Sequence, residues 1–482
     1  MLLFIIFLIL AAAFFYLFLR DKIHQFSPLW LMLSAWMLGL GIPQLHLSRI
    51  EKDWYPAFWL LLIVSLCIFV IGFYVFDRLW FRAFNGNHFD PALDAGEKSL
   101  LGEISHFVRD GVNTHKLRIV IYALFLTSLV ALFLFYTRAG NFPLLAPDTD
   151  VFRFVADEQV PGLINYTAQF ARLFIPLSFF LIFWERKITS PSQFPTAGEV
   201  VNFSFQEGNQ IPPLKGEVKR GKTEFLKRYW DLILIILLGT ISLTLFASRT
   251  QIFFVDLWVM ALYLLMRKPN LKQALKFYPV FLLISILVLA VVPLYRQYKS
   301  YETIDYLAGV TEINSAGFNP VGKALLPIYV GVSFNQQALL HAYEYYQVHP
   351  VQGGRVSLDP FTNLLGKAIP ALNQFKSDFD LCKIFKCWWN TGTYLFPFVQ
   401  DFGAKAFIFV PFLLAGVLAA VWRYWQSSPN FLSLNLYAYA CFFIVMTIYL
   451  SFTVRAEMYL DLALLFFSYV FVSKQVQNYG RR

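Results

Sequence analysis

Charge is scarce in this 482-residue chain: Asp, Glu, Lys and Arg together make 15% of it, where a soluble globular domain carries about 25%. A larger core does not absorb the shortfall, because a surface in water still has to be covered. Cysteine is scarcer still, at four residues, which excludes a disulfide scaffold or a cysteine-rich metal cluster. What the chain has instead is apolar and aromatic mass, 58% hydrophobic with 53 Phe, 25 Tyr and 12 Trp. That composition suits lipid-facing helices with aromatic belts at both interfaces. The formal charge of +10 would point to nucleic acid in a soluble chain. Here the excess lies in a few loops and reads as topology, so no nucleic-acid partner is expected.

Apolar runs long enough to cross a ~30 Å hydrocarbon layer recur about eleven times, near 1–19, 28–47, 56–76, 117–137, 163–184, 230–247, 251–266, 277–295, 405–425, 431–451 and 457–473. The expected fold is an all-α polytopic membrane protein. The first run lacks a basic leading segment and a small-residue cleavage site, so it reads as a retained span. Loops at 20–27, 77–118, 185–229, 267–276 and 423–430 and the C-terminus hold 24 Lys and Arg, against six in the alternate loops. Basic short loops face the cytoplasm, which puts the N-terminus and the long segment before the last three spans outside. The layout is therefore 1–295 with eight spans and a cytoplasmic loop at 185–229, an external segment 296–404, and 405–482 with three spans. Half-apolar stretches at 328–346 and 361–372 are too polar to span and are expected to lie at the interface or dip back into the protein.

Several motifs have bland explanations. Residues 216–223 match the P-loop pattern, but Ile211-Pro-Pro-Leu precedes them and a span follows, where that loop needs a strand and a parallel sheet. Asp148/Asp150 and Asp378/Asp380 resemble metal-binding acid pairs, yet both fall outside the membrane, away from nucleotide sugars, and read as solvated loop acids. Cys382 and Cys387 are a possible disulfide in an oxidising compartment. Cys67 and Cys441 lie in spans as packing residues. No residue set with metal-ligand spacing accompanies any of these.

The arginines carry more. Arg172 lies twelve residues from Trp184, roughly 18 Å along a helix, and an Arg that deep costs at least ~2.5–3.5 kcal/mol. It needs a wet cavity or a counter-charge. Arg249 sits in the turn between two short spans, with Asp256 two turns down. Arg455 stands at the last external turn, where Glu457 and Asp461 share one helical face. Arg138 and Arg153 bracket another external loop, and Arg355 lies in the long one. A convergent set of planar guanidinium groups suits a diphosphate at the outer membrane boundary.

The stretch Trp389-Asn-Thr-Gly-Thr-Tyr394-Leu-Phe-Pro-Phe-Val-Gln-Asp401-Phe-Gly403, followed by a span, resembles the bacterial O-antigen (oligosaccharide repeat-unit, Wzy-type) polymerase family. Further echoes are Gly140-Asn-Phe-Pro143-Leu144, the Ser248-Arg249 turn and Ser333-Phe-Asn335. The resemblance implies a GT-C-like fold in the inner membrane. It implies glycosyl transfer on the periplasmic face between undecaprenyl-diphosphate-linked oligosaccharides, with no nucleotide, metal or other cofactor. A chain-length regulator and a flippase are candidate partners. On this reading Arg249 and Arg172, then Arg455, hold the diphosphate, with Arg138, Arg153 and Arg355 around them. Asp401, Asp256, Glu457 and His341 are candidate bases, Asp401 doubling as a helix cap. Trp389 and Tyr394 could stack on sugars or sit in an interface belt. An O-antigen ligase, or a lipid-linked oligosaccharide flippase or other transporter, is the alternative; transporters tend to show internal repeats, and none is visible.

Overall fold

The computed structural model describes residues 1–20, 26–85, 112–189, 215–246, 249–267, 290–301, 305–365, 369–377, 381–386, 389 and 391–473, with a few single positions between 283 and 303. These residues are helical and contain no strand, only two isolated bridges, Ser48 to Ile313 and Val112 to Ser473. In chain order the helices are α1 Leu2–Arg20, α2 Pro28–Gly41, α3 Pro56–Asn85, α4 Thr114–Ala139, α5 Thr149–Gln159, α6 Gly162–Ala168, α7 Ala171–Thr189, α8 Lys215–Leu245 and α9 Arg249–Arg267. There follow α10 Tyr306–Val310, α11 Pro320–Val348, α12 Arg355–Leu365, α13 Leu381–Ile384, α14 Phe396–Phe402, α15 Ala406–Ser427, α16 Phe431–Met446 and α17 Ala456–Val472.

Eight segments among the described residues are long and apolar enough to cross a membrane, and the chain is an all-α polytopic membrane protein. The expected span at 163–184 is two helices, α6 and α7, separated at Gln169 and Phe170. The expected spans at 431–451 and 457–473 are α16 and α17, only 16 and 17 residues long, short of the ~20 that a perpendicular crossing needs. Most of 277–295 lies outside the described residues. The P-loop-like residues 216–223 lie in α8, which is helical from Lys215, so the strand and loop that motif needs are absent there.

Lipid exposure explains why sequence patterns are weak in these helices. α1 leaves Leu2, Leu3, Ile5, Ile6 and Ile9 exposed, apolar surface that only hydrocarbon tolerates at this density. Inside the bundle, close approach depends on small residues. A Cβ on Gly72 of α3 would meet Phe412 of α15 at 3.0 Å, and one on Gly416 of α15 would meet Phe76 of α3 at 3.0 Å. Aromatic edges lock α9 to α16, with Phe254 against Phe442 at 4.2 Å and Trp258 against Tyr439 at 5.2 Å between centroids.

These contacts set which helix ends lie together. The start of α9 meets the end of α16, because Phe254 faces Phe442 while Trp258 faces Tyr439. α17 begins a short turn after α16 ends. Arg172, in the first turn of α7, bonds to Asp461, early in α17. Val112, just before α4, bridges Ser473 after α17, so α4 finishes where α17 starts. The first turns of α7, α9 and α17 and the last turn of α4 therefore share one end of the bundle.

The segment 296–404 covers this end. Asn319 caps α11, accepting from the Gly322 amide at 2.8 Å, and Pro320 opens the helix. The expected interfacial stretch at 328–346 belongs to α11 and is enclosed by protein, with Ser333, Asn335, Gln336 and Gln337 at most 1% exposed. The stretch at 361–372 is the end of α12 and the start of a 3-10 turn at Pro370–Phe375. α12 lies on the start of α17, with Phe361 against Tyr459 at 4.6 Å.

Candidate functional site

Every sequence-selected arginine has its backbone at this covered end, except that Arg153 is assigned there only through its place on α5, between α4 and α6. Their side chains do not form one described ring. Arg172 is 1% exposed and has found the counter-charge its depth demands. Its Nε donates to both oxygens of Asp461 at 3.0 and 3.1 Å. Nη2 stands 3.0 Å from Oδ1 but off the line of a hydrogen bond, so neither Nη1 nor Nη2 has a hydrogen-bond partner. The hydroxyl of Tyr439, within electrostatic reach of the same pair, is also buried without one. Glu457, one turn further out on α17, faces the pair as well.

Arg455 precedes α17, half-buried, and makes no ion pair among the described residues. Arg138 ends α4, exposed and likewise unpaired there. Arg355 opens α12, exposed and engaged by a neighbour. The side chains of Arg153 and Arg249 lie outside the described residues, as do Asp378, Asp380, Cys387 and the side chain of Asp150. Cys382 is disulfide-bonded, while Cys67 and Cys441 are free.

Three residues expected at a sugar site are occupied elsewhere. Asp401 is fully buried inside α14 and does not cap the helix that follows it. Its carboxylate accepts from the amides of Val356 at 3.0 Å and Ser357 at 2.8 Å and from the Ser357 hydroxyl at 2.5 Å. It is thus the N-cap of α12, delivered from another element, with Gly353 and Gly354 at φ 62° and 94° turning the chain into it. A carboxylate with its acceptor positions filled this way is a poor base. Trp389 is buried and donates from Nε1 to Asn335 Oδ1 at 3.1 Å. Tyr394 is 3% exposed, set edge-on against Trp36 at 5.5 Å. Neither offers a face to a sugar; Tyr394 ties the covering segment to α2, and Trp389 ties two stretches of that segment together.

Two of the family-like fragments, Ser333–Asn335 and Trp389–Gly403, meet for the same reason. Asn335 Oδ1 also accepts from Thr391 at 2.8 Å, and its amide nitrogen donates to the Gly331 and Tyr449 carbonyls. Ser333 donates to Glu51, which Tyr329 also reaches at 2.6 Å. Glu51 carried no signal in sequence beyond its place in a short external loop. Burial pushes its carboxyl above the usual range, against the pull of the Ser333 and Tyr329 hydroxyls. Beside Tyr329 a cavity of about 410 Å³ opens among Leu45, Leu47, Phe318 and Leu326. His341, another candidate base, is pushed down to about 4 by burial and by Lys52, with its ring on Phe385. Among the described residues no three His, Cys, Asp or Glu side chains gather as a metal site.

No protein-family model, curated protein or solved structure matches the chain. Its likeness to O-antigen polymerases thus rests on the motif residues and the layout alone.

Proposed function

We propose that the chain is an oligosaccharide repeat-unit polymerase of the O-antigen type. It is multi-pass in a bacterial inner membrane, with the arginine end, the N-terminus and segment 296–404 in the periplasm and the C-terminus in the cytoplasm. It transfers a growing saccharide from undecaprenyl diphosphate to the next lipid-linked unit, in a GT-C-like arrangement and without metal. The observation that carries this reading is the placing of three helix N-termini at one end of the bundle, each with an arginine in or beside its first turn: Arg172, Arg249 and Arg455. Helix N-termini favour anions, and guanidinium forks match phosphate oxygens. Bond formation outside the cytoplasm draws on an activated donor already in place, and positive charge held at the departing diphosphate lowers its barrier.

Charge balance ranks the arginines. Asp461 and Glu457 offset two positive charges, those of Arg172 and Arg455. Of the positive charge left for a diphosphate, Arg249 supplies the first share and Arg455 the next, with Arg138, Arg153 and Arg355 at the rim. Arg249→Ala should then abolish chain extension at unchanged protein level, and Arg249→Lys should recover part, since a point charge lacks the fork. The test is reconstitution of the purified chain in proteoliposomes with one lipid-linked repeat unit, without metal or nucleotide. Longer lipid-linked products are expected. Absence of elongation, or transfer only when a different acceptor is added, would overturn the polymerase reading.

A further inference from the structure

Glycosyl transfer needs a proton acceptor for the attacking hydroxyl, and the hydrogen-bonding state of the carboxylates at the arginine end selects one. Asp401 is saturated by α12, and Asp461 is spent on Arg172. Glu51 accepts from Tyr329 and Ser333, Glu344 pairs with Lys52, and Asp305 pairs with Lys323. Asp359 holds the Ser377 amide and hydroxyl, while Asp148 and Asp256 have partners of their own. Glu457 differs. Among the described residues it is the half-buried carboxylate at this end with neither a hydrogen bond nor an ion pair. It stands two residues after Arg455 in the first turn of α17 and one turn outward from Asp461, within electrostatic reach of Arg172.

We propose that Glu457 is the general base of the transfer, an inference that rests on the polymerase reading. The acceptor sugar's O–H bond breaks and its proton passes to a Glu457 oxygen. The freed oxygen pair forms the bond to the donor's anomeric carbon. The carbon–oxygen bond to the diphosphate breaks, and its electron pair leaves with the lipid diphosphate, whose charge meets Arg455. Asp461 acts as a positioning residue. By occupying the Nε edge of Arg172 it holds the guanidinium beside Glu457 and leaves the Nη1/Nη2 edge and the Tyr439 hydroxyl as unspent donors.

Because Glu457 makes no hydrogen bond to a described residue, replacing it should shift the protein's melting temperature little. In the proteoliposome assay Glu457→Gln should lower kcat by about 10²–10⁴-fold, with KM for the lipid-linked unit within about threefold, and Glu457→Asp should restore part. Formate added to Glu457→Ala should recover turnover, because a small carboxylate fits the vacated space; a structural role would gain nothing from it. Wild-type turnover in Glu457→Gln overturns the proposal while leaving the polymerase reading intact. So does a dead Glu457→Ala that formate leaves dead. A wild-type protein that elongates nothing overturns the polymerase reading, and the base assignment with it.

Discussion

The two ends of the bundle treat their half-buried arginines in opposite ways. At the end away from segment 296–404, Arg423 meets Asp77 through two bonds, at 2.5 and 2.7 Å, and lies over the Trp422 ring. Arg118 reaches Asp231 at 3.1 Å and shares Glu185 with Arg228. Both half-buried arginines there, Arg423 and Arg118, are answered by carboxylates from neighbouring helices. At the covered end Arg455 is left unpaired among the described residues, and Arg172 keeps two nitrogens without hydrogen bonds. Desolvating a charge without full compensation is expensive, so the first arrangement reads as structure, and under the polymerase proposal the second is where the diphosphate binds.

Substitutions can break this contrast. The largest expected effect is on activity: Arg455→Ala should cut chain extension at least about 10²-fold, the order of losing one electrostatic stabiliser, with an unchanged melting temperature. Arg423→Ala should do the reverse, lowering stability by about 2 kcal/mol through lost charged hydrogen bonds while turnover per folded molecule stays the same. Equal behaviour of the two variants would erase the distinction.

The buried pair sharpens it. Asp461→Ala alone should destabilise by about 3–5 kcal/mol by stranding Arg172, whereas Arg172→Met with Asp461→Leu should be near neutral in a melting experiment. The double variant should nevertheless be inactive, since it removes the cation beside Glu457. Full activity there would reduce the pair to a structural bridge.

A smaller effect belongs to the covering segment. Asp401→Ala should cost about 1–3 kcal/mol by leaving the first amides of α12 unmet, read as faster hydrogen exchange at Val356 and Ser357. The catalytic constants of the folded fraction should hold, because Asp401 acts as a cap.

The smallest effects are opposite pH dependences within one patch. The folded-state shift of Glu51 is upward from 4.5, so its contribution is present below 4.5 and lost as pH rises through the folded value. His341 is shifted down from 6.5 to about 4, so its contribution is present above 6.5 and lost as pH falls toward 4. The His341 contribution should be about 1 kcal/mol after solvent screening; for Glu51 the sign alone is expected. Thermal melts from pH 4 to 8 should show Glu51→Gln flattening the loss on the alkaline side and His341→Gln flattening it on the acid side.

Much of the fold was legible because a bilayer imposes one length and one polarity on any helix that crosses it. That is why eight of the expected spans match apolar helices, and why the expected run 431–451 overshoots α16: it stays apolar through the turn that ends the helix at Met446, whereas 457–473 differs from α17 by one residue at each end. The site was less legible. Arg172 announced its need for a partner by its depth, but Asp461 lies 289 residues away. The Trp389–Gly403 stretch was readable as a motif, yet nothing local shows that Trp389 turns inward to Asn335 or that Asp401 caps a helix 44 residues upstream. Glu51 was missed because its burial comes from α11, nearly 280 residues on.

By itself, the sequence determined that this chain lives in lipid, which of its segments are apolar enough to cross it, and that several arginines stand near the ends of those segments. Those properties are additive along the chain, since transfer into hydrocarbon is decided residue by residue. The tertiary structure alone decided which carboxylates are consumed by neighbours and which remain open at Glu457. Hydrogen bonds and ion pairs act over about 3 Å, so only the packing of helices distant in sequence can say which charge is already answered.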